Sequence, residues 1–276
     1  MSKKTGFKIF ETVIKLLVTL IFLAPFYISV VYALKSPEET VATGLAWPTK
    51  IHWANFSEAI EVSNFFTATR NSVIVTVCSV LLLMVVSSMA AYVIARNLQS
   101  RFYQTMYYIF LGAIMLSFQV VMLPLYVQLK NAGMLNTIHG LIITISGFQL
   151  AYNVFVYTGF IRSIPIQMEE AAFIDGAGRF KTYWTIVFPL MKPIVSSTLI
   201  LNALAVWNDF QISLIIAQKA EVRTIPLTQY FFFGQYGGKL NMAFAAFLLA
   251  MIPIIVLYLV MQKYIIDGVM AGAVKG

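Results

Sequence analysis

Few side chains in this 276-residue sequence can do chemistry, and the ones that can fall in a few places. Trp207-Asn208-Asp209 stands in a run from Pro193 to Gln218 that carries no other charge. A carboxylate inside an apolar span costs a few kcal/mol, roughly, and is by default a functional feature. With the Trp207 and Asn208 hydrogen-bonding groups beside it, Asp209 could face a water-filled path and bind hydroxyl groups there. It could equally cap a helix or pair near the outer interface, a structural role. A second group, Glu169-Glu170 with Asp175, sits in a polar stretch. A third, Tyr230-Phe231-Phe232-Phe233-Gly234-Gln235-Tyr236, offers aromatic faces that pack on the C–H faces of sugars, or that form an interfacial belt. His52 and His139 have no ligand spacing around them, and the lone Cys78 can make neither a disulfide within the chain nor a metal cluster. No G-x-x-x-x-G-K-[ST] phosphate loop, H-E-x-x-H or G-x-S-x-G occurs: Gly237-Gly238-Lys239 is followed by Leu240.

The elements that position these groups follow from composition. Hydrophobic residues make up 60% and charged residues 11%, against about 25% charged in a soluble domain. Mean hydropathy is +0.82. This excludes a soluble enzyme, a disordered chain and a coiled coil, and predicts an all-α membrane protein. The apolar runs are continuous rather than alternating, which disfavours a barrel. Charges divide the chain into six spans, about 13–34, 71–95, 106–129, 138–161, 193–216 and 241–263, within one transmembrane domain over 1–276. Pro25, Pro124 and Pro253 lie inside spans and predict kinks. With the N-terminus cytoplasmic, 12 of the 19 Lys and Arg fall on the inner segments 1–15, 96–106, 161–192 and 263–276. The net charge of +8 then reads as topology rather than nucleic-acid binding, and both termini are expected inside. The first run is too long for a signal core and lacks a cleavage site, so it is expected to remain as a helix.

The longest inner loop, 161–192, predicts a short helix over about 166–177. Ser163 is expected to cap it, Pro165 to fit its first turn, Glu169 and Glu170 to favour its N-terminal end, and Gly176 and Gly178 to stop it. Such a helix is too short and polar to span, and either rests on the bilayer or offers its Ala171-Ala172 step to a partner.

Glu170-Ala171-Ala172, then Gly176, Ile186 and Phe188-Pro189, resembles the EAA loop of bacterial ATP-binding-cassette (ABC) importer permeases, EAA-x3-G-x9-I-x-L-P, with Phe188 in place of Leu. Trp207-Asn208-Asp209-Phe210, Thr224-Ile225-Pro226-Leu227, Asn71-Ser72 and the ending Gly268 to Gly276 resemble the carbohydrate branch, similar to the smaller membrane subunit of the maltose importer. The likeness runs from about Pro25 to Gly276. It implies a type I importer permease fold in a bacterial cytoplasmic membrane, with 166–177 as a coupling helix. It implies that Glu169, Glu170, Ala171, Ala172, Asp175, Gly176 and Pro189 couple to an ATPase, that Trp207, Asn208 and Asp209 bear on the translocation path, and that Phe231, Phe232, Phe233, Gln235 and Tyr236 meet a binding protein. The chain itself is expected to bind no cofactor, since ATP and magnesium belong to the ATPase, and to catalyse no reaction. The implied partners are a second homologous permease, a dimeric cytoplasmic ATPase, an extracellular sugar-binding protein and the lipid bilayer, with no nucleic acid. The rival class is a self-sufficient secondary transporter, which would need coupling-ion groups near the midplane and usually internal repeats.

Overall fold

The computed structural model describes residues 2–236 and 238–273. In chain order the elements are α1 (Ser2–Ala33), α2 (Pro37–Ala42), α3 (Ala54–Val62), α4 (Phe65–Arg96), α5 (Arg101–Ile114), α6 (Phe118–Asn131), α7 (Ile138–Ile161) and α8 (Gln167–Ile174). There follow α9 (Arg179–Thr182), a π-helical turn (Tyr183–Val187), α10 (Phe188–Leu190), α11 (Lys192–Trp207), α12 (Gln211–Ile216), a 3-10 turn (Ala220–Val222), α13 (Ile225–Tyr236) and α14 (Leu240–Ala273). No strand occurs among the described residues. The chain forms two compact units, residues 1–66 with 228–255, and residues 67–227 with 256–276.

In the first unit the chain leaving α1 is held by polar groups buried on apolar surroundings. Lys35 is 0% exposed. Its Nζ donates to Thr43 Oγ1 (2.7 Å) and to the Gly44 carbonyl (2.6 Å), and lies over the Tyr32 ring. These acceptors solvate the ammonium in place of water, which burial of a cation demands. Ser36 caps α2 by accepting from the Glu39 amide (3.2 Å), and Pro37 fills the first turn. Asn55 donates to the carbonyls of Ala33 and Lys35 (both 2.8 Å) and accepts from Asn241 (2.7 Å). Around these, Ala33, Ala59, Phe232, Met242, Ala243 and Ala246 form a core of mostly small residues, which lets helices approach closely.

In the second unit α4 buries Ser72, Thr76, Ser79, Leu83 and Ser87 while Ile74, Val77 and Leu81 stay exposed. Small and hydroxyl residues thus face the bundle and large apolar ones face outward, as in a bilayer. Thr137 caps α7 through the Gly140 amide (3.1 Å). A Cβ at Gly140 would collide with the Met134 carbonyl, so this tight cap requires glycine.

Among the described residues, three helices are long and apolar enough to cross a membrane by themselves: Phe10–Ala33, Phe65–Arg96 and Ile138–Ile161. Counting each bent pair as one span raises the number to 5, and the apolar part of α14, Leu240–Val256, is shorter. The expected third span is therefore not one straight rod: α5 and α6 meet at 105°. Met115 and Leu116 close on Gly112 and Ala113 through tight backbone turns, and Ser117 is extended. The break precedes Pro124, which lies inside the continuous α6. The expected fifth span is broken at both ends. Arg179–Leu190 and α11 meet at 76°, and α11 ends at Trp207. Pro189 cannot donate to the carbonyl four residues back, and the chain widens into the π turn just before it.

Candidate functional site

The polar stretch folds as α8, and its two glutamates part company. Glu169 is 2% exposed, whereas Glu170 and Ala171 are exposed and Ala172 is buried. Successive helical residues turn by about 100°, so one acid of an adjacent pair can face inward while the other faces out. Glu169 Oε1 receives Arg96 Nε (2.7 Å) and Arg96 Nη2 (2.6 Å), and Oε2 receives the Tyr92 hydroxyl (2.7 Å). Arg96 Nη2 also donates to the Ile164 carbonyl (3.1 Å). A two-donor guanidinium contact satisfies a buried carboxylate better than a single ammonium could. The pair lines a cavity of about 580 Å³ together with Tyr103, Ile166, Phe173, Arg179 and Phe180.

Gly176, at φ +80°, ends α8. Its amide donates to the Phe173 carbonyl (3.1 Å) and that of Ala177 to the Ala172 carbonyl (2.9 Å), the paired bonds of a Schellman cap. Nothing lies within 4 Å of where a Gly176 Cβ would sit. Asp175 and Pro189 are exposed. The expected N-terminal signals are placed differently. Ser163 Oγ donates back to the Phe160 carbonyl (2.7 Å), closing the end of α7, and Pro165 precedes Ile166, which caps α8 with backbone alone. Ser163 is too far upstream to reach the α8 amides, because Ile164–Ile166 intervene as an extra turn. Around the α8 tip Ile174 is 86% exposed and Phe180 67% exposed, large apolar groups with no cover in this chain.

Asp209 lies in the break between α11 and α12, and its Oδ2 accepts from both the amide and the hydroxyl of Ser213 (2.9 Å each). It is thus the anchor of the first turn of α12. Asn208 is exposed and donates to the Leu204 carbonyl (2.8 Å), while Trp207 is buried. Of the aromatic run on α13, Phe232 is buried in the first unit's core, Phe233 stacks on Phe247 and is exposed, and Gln235 is exposed. Phe231 is half-buried. The side chain of Tyr236, and residues 274–276, lie outside the described residues.

Several groups to which the sequence assigned no contact prove to be partners. Arg96, read as a boundary, holds Glu169. Asn71 donates to the carbonyls of Glu221 (2.8 Å) and Arg223 (3.1 Å), and Ser72 accepts from the Ile225 amide (2.8 Å). The Asn71-Ser72 and Thr224-to-Leu227 blocks are therefore one structural clamp. Between α7 and α11, Asn153 and Asn202 exchange amide hydrogen bonds (3.2 and 2.8 Å), and one turn away Tyr157 meets Thr198 (2.5 Å). The legible signal was their matching spacing, 153 and 157 against 198 and 202, inside otherwise apolar runs.

A family model described as "Binding-protein-dependent transport system inner membrane component" matches residues 84–270. The chain is 39% identical over 254 residues to the melibiose/raffinose/stachyose import permease protein MelC of Bacillus subtilis (strain 168), covering 91% of each chain. It is 37% identical over 261 residues to the multiple sugar-binding transport system permease protein MsmG of Streptococcus mutans, covering 93% of each. In fold it matches a crystal structure of a bacterial ABC transporter involved in the import of the acidic polysaccharide alginate. There the TM-score is 0.78 at 22% identity, covering 96% of this chain and 98% of that one.

Proposed function

The chain belongs to the family of binding-protein-dependent transport system inner membrane components and is a multi-pass permease subunit of an ABC importer, and on that premise we propose that its cargo is a sugar or oligosaccharide. The observation that carries the cargo is the named substrates of its relatives, melibiose, raffinose and stachyose in one, multiple sugars in another. Six spans, with each bent pair counted once and α14 as the last, keep both termini on the cytoplasmic side, where Lys and Arg concentrate.

The working unit is a pair of homologous permeases with an ATPase dimer beneath and a sugar-loaded binding protein outside. ATP and magnesium reside on the ATPase, and this chain supplies no phosphate-binding loop. The exposed side of α8, with Glu170, Ala171, Asp175 and the apolar Ile174 and Phe180, is the surface the ATPase covers. Burial of such large apolar groups contributes about 25 cal/mol per Å² before ordering costs. ATP-driven closure of the ATPase moves α8, and the bundle alternates between inward- and outward-facing forms. On the outer side, exposed Phe233 and Gln235 of α13 meet the docked binding protein in this reading, and Trp207, Asn208 and Asp209 bear on the translocation path, a reading in which the bonds from Ser213 to Asp209 support a role in holding α12.

The test is reconstitution with a partner permease, an ATPase and a sugar-binding protein from the same organism. ATP-dependent uptake of a labelled α-galactoside such as raffinose, absent when any one component is omitted, is expected. Uptake by this chain alone under an ion gradient would overturn the reading.

A further inference from the structure

Glu169, Tyr92 and Arg96 join α8 to α4 through residues 73 and 77 positions apart in the chain. The neighbours of α8 in sequence are α7 and α9, so chain connectivity alone would pass its movement to them. The geometry points elsewhere. Ser88, Tyr92 and Arg96 recur every four residues on α4 and form one stripe along the helix. Arg96 and Tyr92 hold Glu169 of α8. The Tyr92 ring lies against Tyr183 (centroids 5.2 Å apart), and the Ser88 hydroxyl meets the Tyr183 hydroxyl (2.6 Å). One face of α4 thus grips the helix before the Gly176 turn and the π turn after it.

We propose that the Arg96–Glu169–Tyr92 cluster is the rigid joint through which displacement of α8 enters the bundle, so that α4 moves with α8 and Glu169 is a positioning residue of the transport cycle. The proposal rests on the reading of α8 as the ATPase-facing helix. The physical case is stiffness. A carboxylate that accepts three charge-assisted or hydroxyl bonds from one helix face, nearly free of solvent, has no alternative geometry of similar energy. Glu170, exposed one residue on, has no such tie among the described residues. Adjacent identical side chains therefore have separate duties, Glu169 transmitting and Glu170 contacting.

The experiment uses the full transporter in liposomes and reads ATP hydrolysed per sugar delivered, together with the amount of ATPase that co-purifies. E169Q keeps the shape and removes the charge. The expected result is a normal complement of ATPase with the ratio of hydrolysis to transport raised at least tenfold. Y92F, which removes one bond, is expected to raise it two- to threefold. The charge-exchanged pair E169R/R96E is expected to recover transport relative to either single change. E169Q with an unchanged ratio, or an exchanged pair no better than E169R alone, would overturn the joint. If E169Q does not accumulate in the membrane, Y92F and the exchanged pair decide by the same ratio. Failure of any ATPase to co-purify with the unaltered chain would instead refute the importer assembly, a different outcome from these.

Discussion

Removing one amide of the Asn153–Asn202 pair strands the other in the bundle. An unpartnered buried polar group costs about 1–3 kcal/mol, whereas replacing both partners by apolar groups of similar shape can be nearly neutral. Interhelical pairs in membrane proteins couple more weakly, about 0.6 kcal/mol on average. Either N153L or N202L is therefore expected to lower the thermal midpoint of the purified complex, and N153L/N202L to lower it by less than the sum. A double-mutant cycle on melting temperature measures the difference. Gly176 makes a second expectation. Its φ of +80° costs a side chain about 1–2 kcal/mol, yet space is open around it. G176A and G176L are thus expected to destabilise the isolated chain equally, while G176L releases more ATPase from the complex than G176A in a pull-down. The glycine stop was legible because left-handed caps have a residue signature. The inward turn of Glu169 was not, since two adjacent acids carry no mark of which one meets an arginine far away in sequence.

At the scale of elements, the loop after α1 offers a pH-dependent hold. The Thr49 hydroxyl and amide both donate to Glu39, and the hydroxyl bond, more than the amide, holds this carboxylate below the usual range. A carboxylate with a lowered folded pKa stabilises above its unfolded value and loses that contribution as pH falls through the folded one. The segment 43–50 is therefore expected to resist proteolysis down through the ordinary carboxylate range and to open below it. In T49A it is expected to open at a higher pH, as read by limited digestion across pH. Continuous apolar runs made the helices legible, and their lengths followed from charges at the ends. The bends were not legible. The α5–α6 bend depends on backbone closure at Gly112 to Ser117, well before the proline that sequence marks as the breaker. The Asn208–Phe210 break depends on whether Asp209 bonds a neighbour or the next helix, and Ser213 decides it.

For the whole molecule, the apolar stretch of α1 has none of its residues buried, so lipid or protein outside this chain must cover it. Cys78, the only cysteine, is likewise exposed in this chain on the long span α4. In sealed vesicles it is expected to escape a membrane-impermeant maleimide and to react fully after denaturation in detergent. Rapid labelling of intact vesicles would place that part of α4 outside the bilayer. Composition revealed the bilayer as solvent, but it could not say which apolar faces meet lipid and which meet protein, because both are built from the same side chains.

The parting of Glu169 from Glu170 has a hereditary side. One acid answers to an arginine encoded in the same gene, while the other stands exposed. On the proposed reading, a transporter that exchanged its ATPase for a relative's would have to renegotiate only the outward residue. A graft of the loop alone into another permease imports an acid whose counterpart stays behind, so such grafts are expected to work only when the arginine at the end of α4 travels with them.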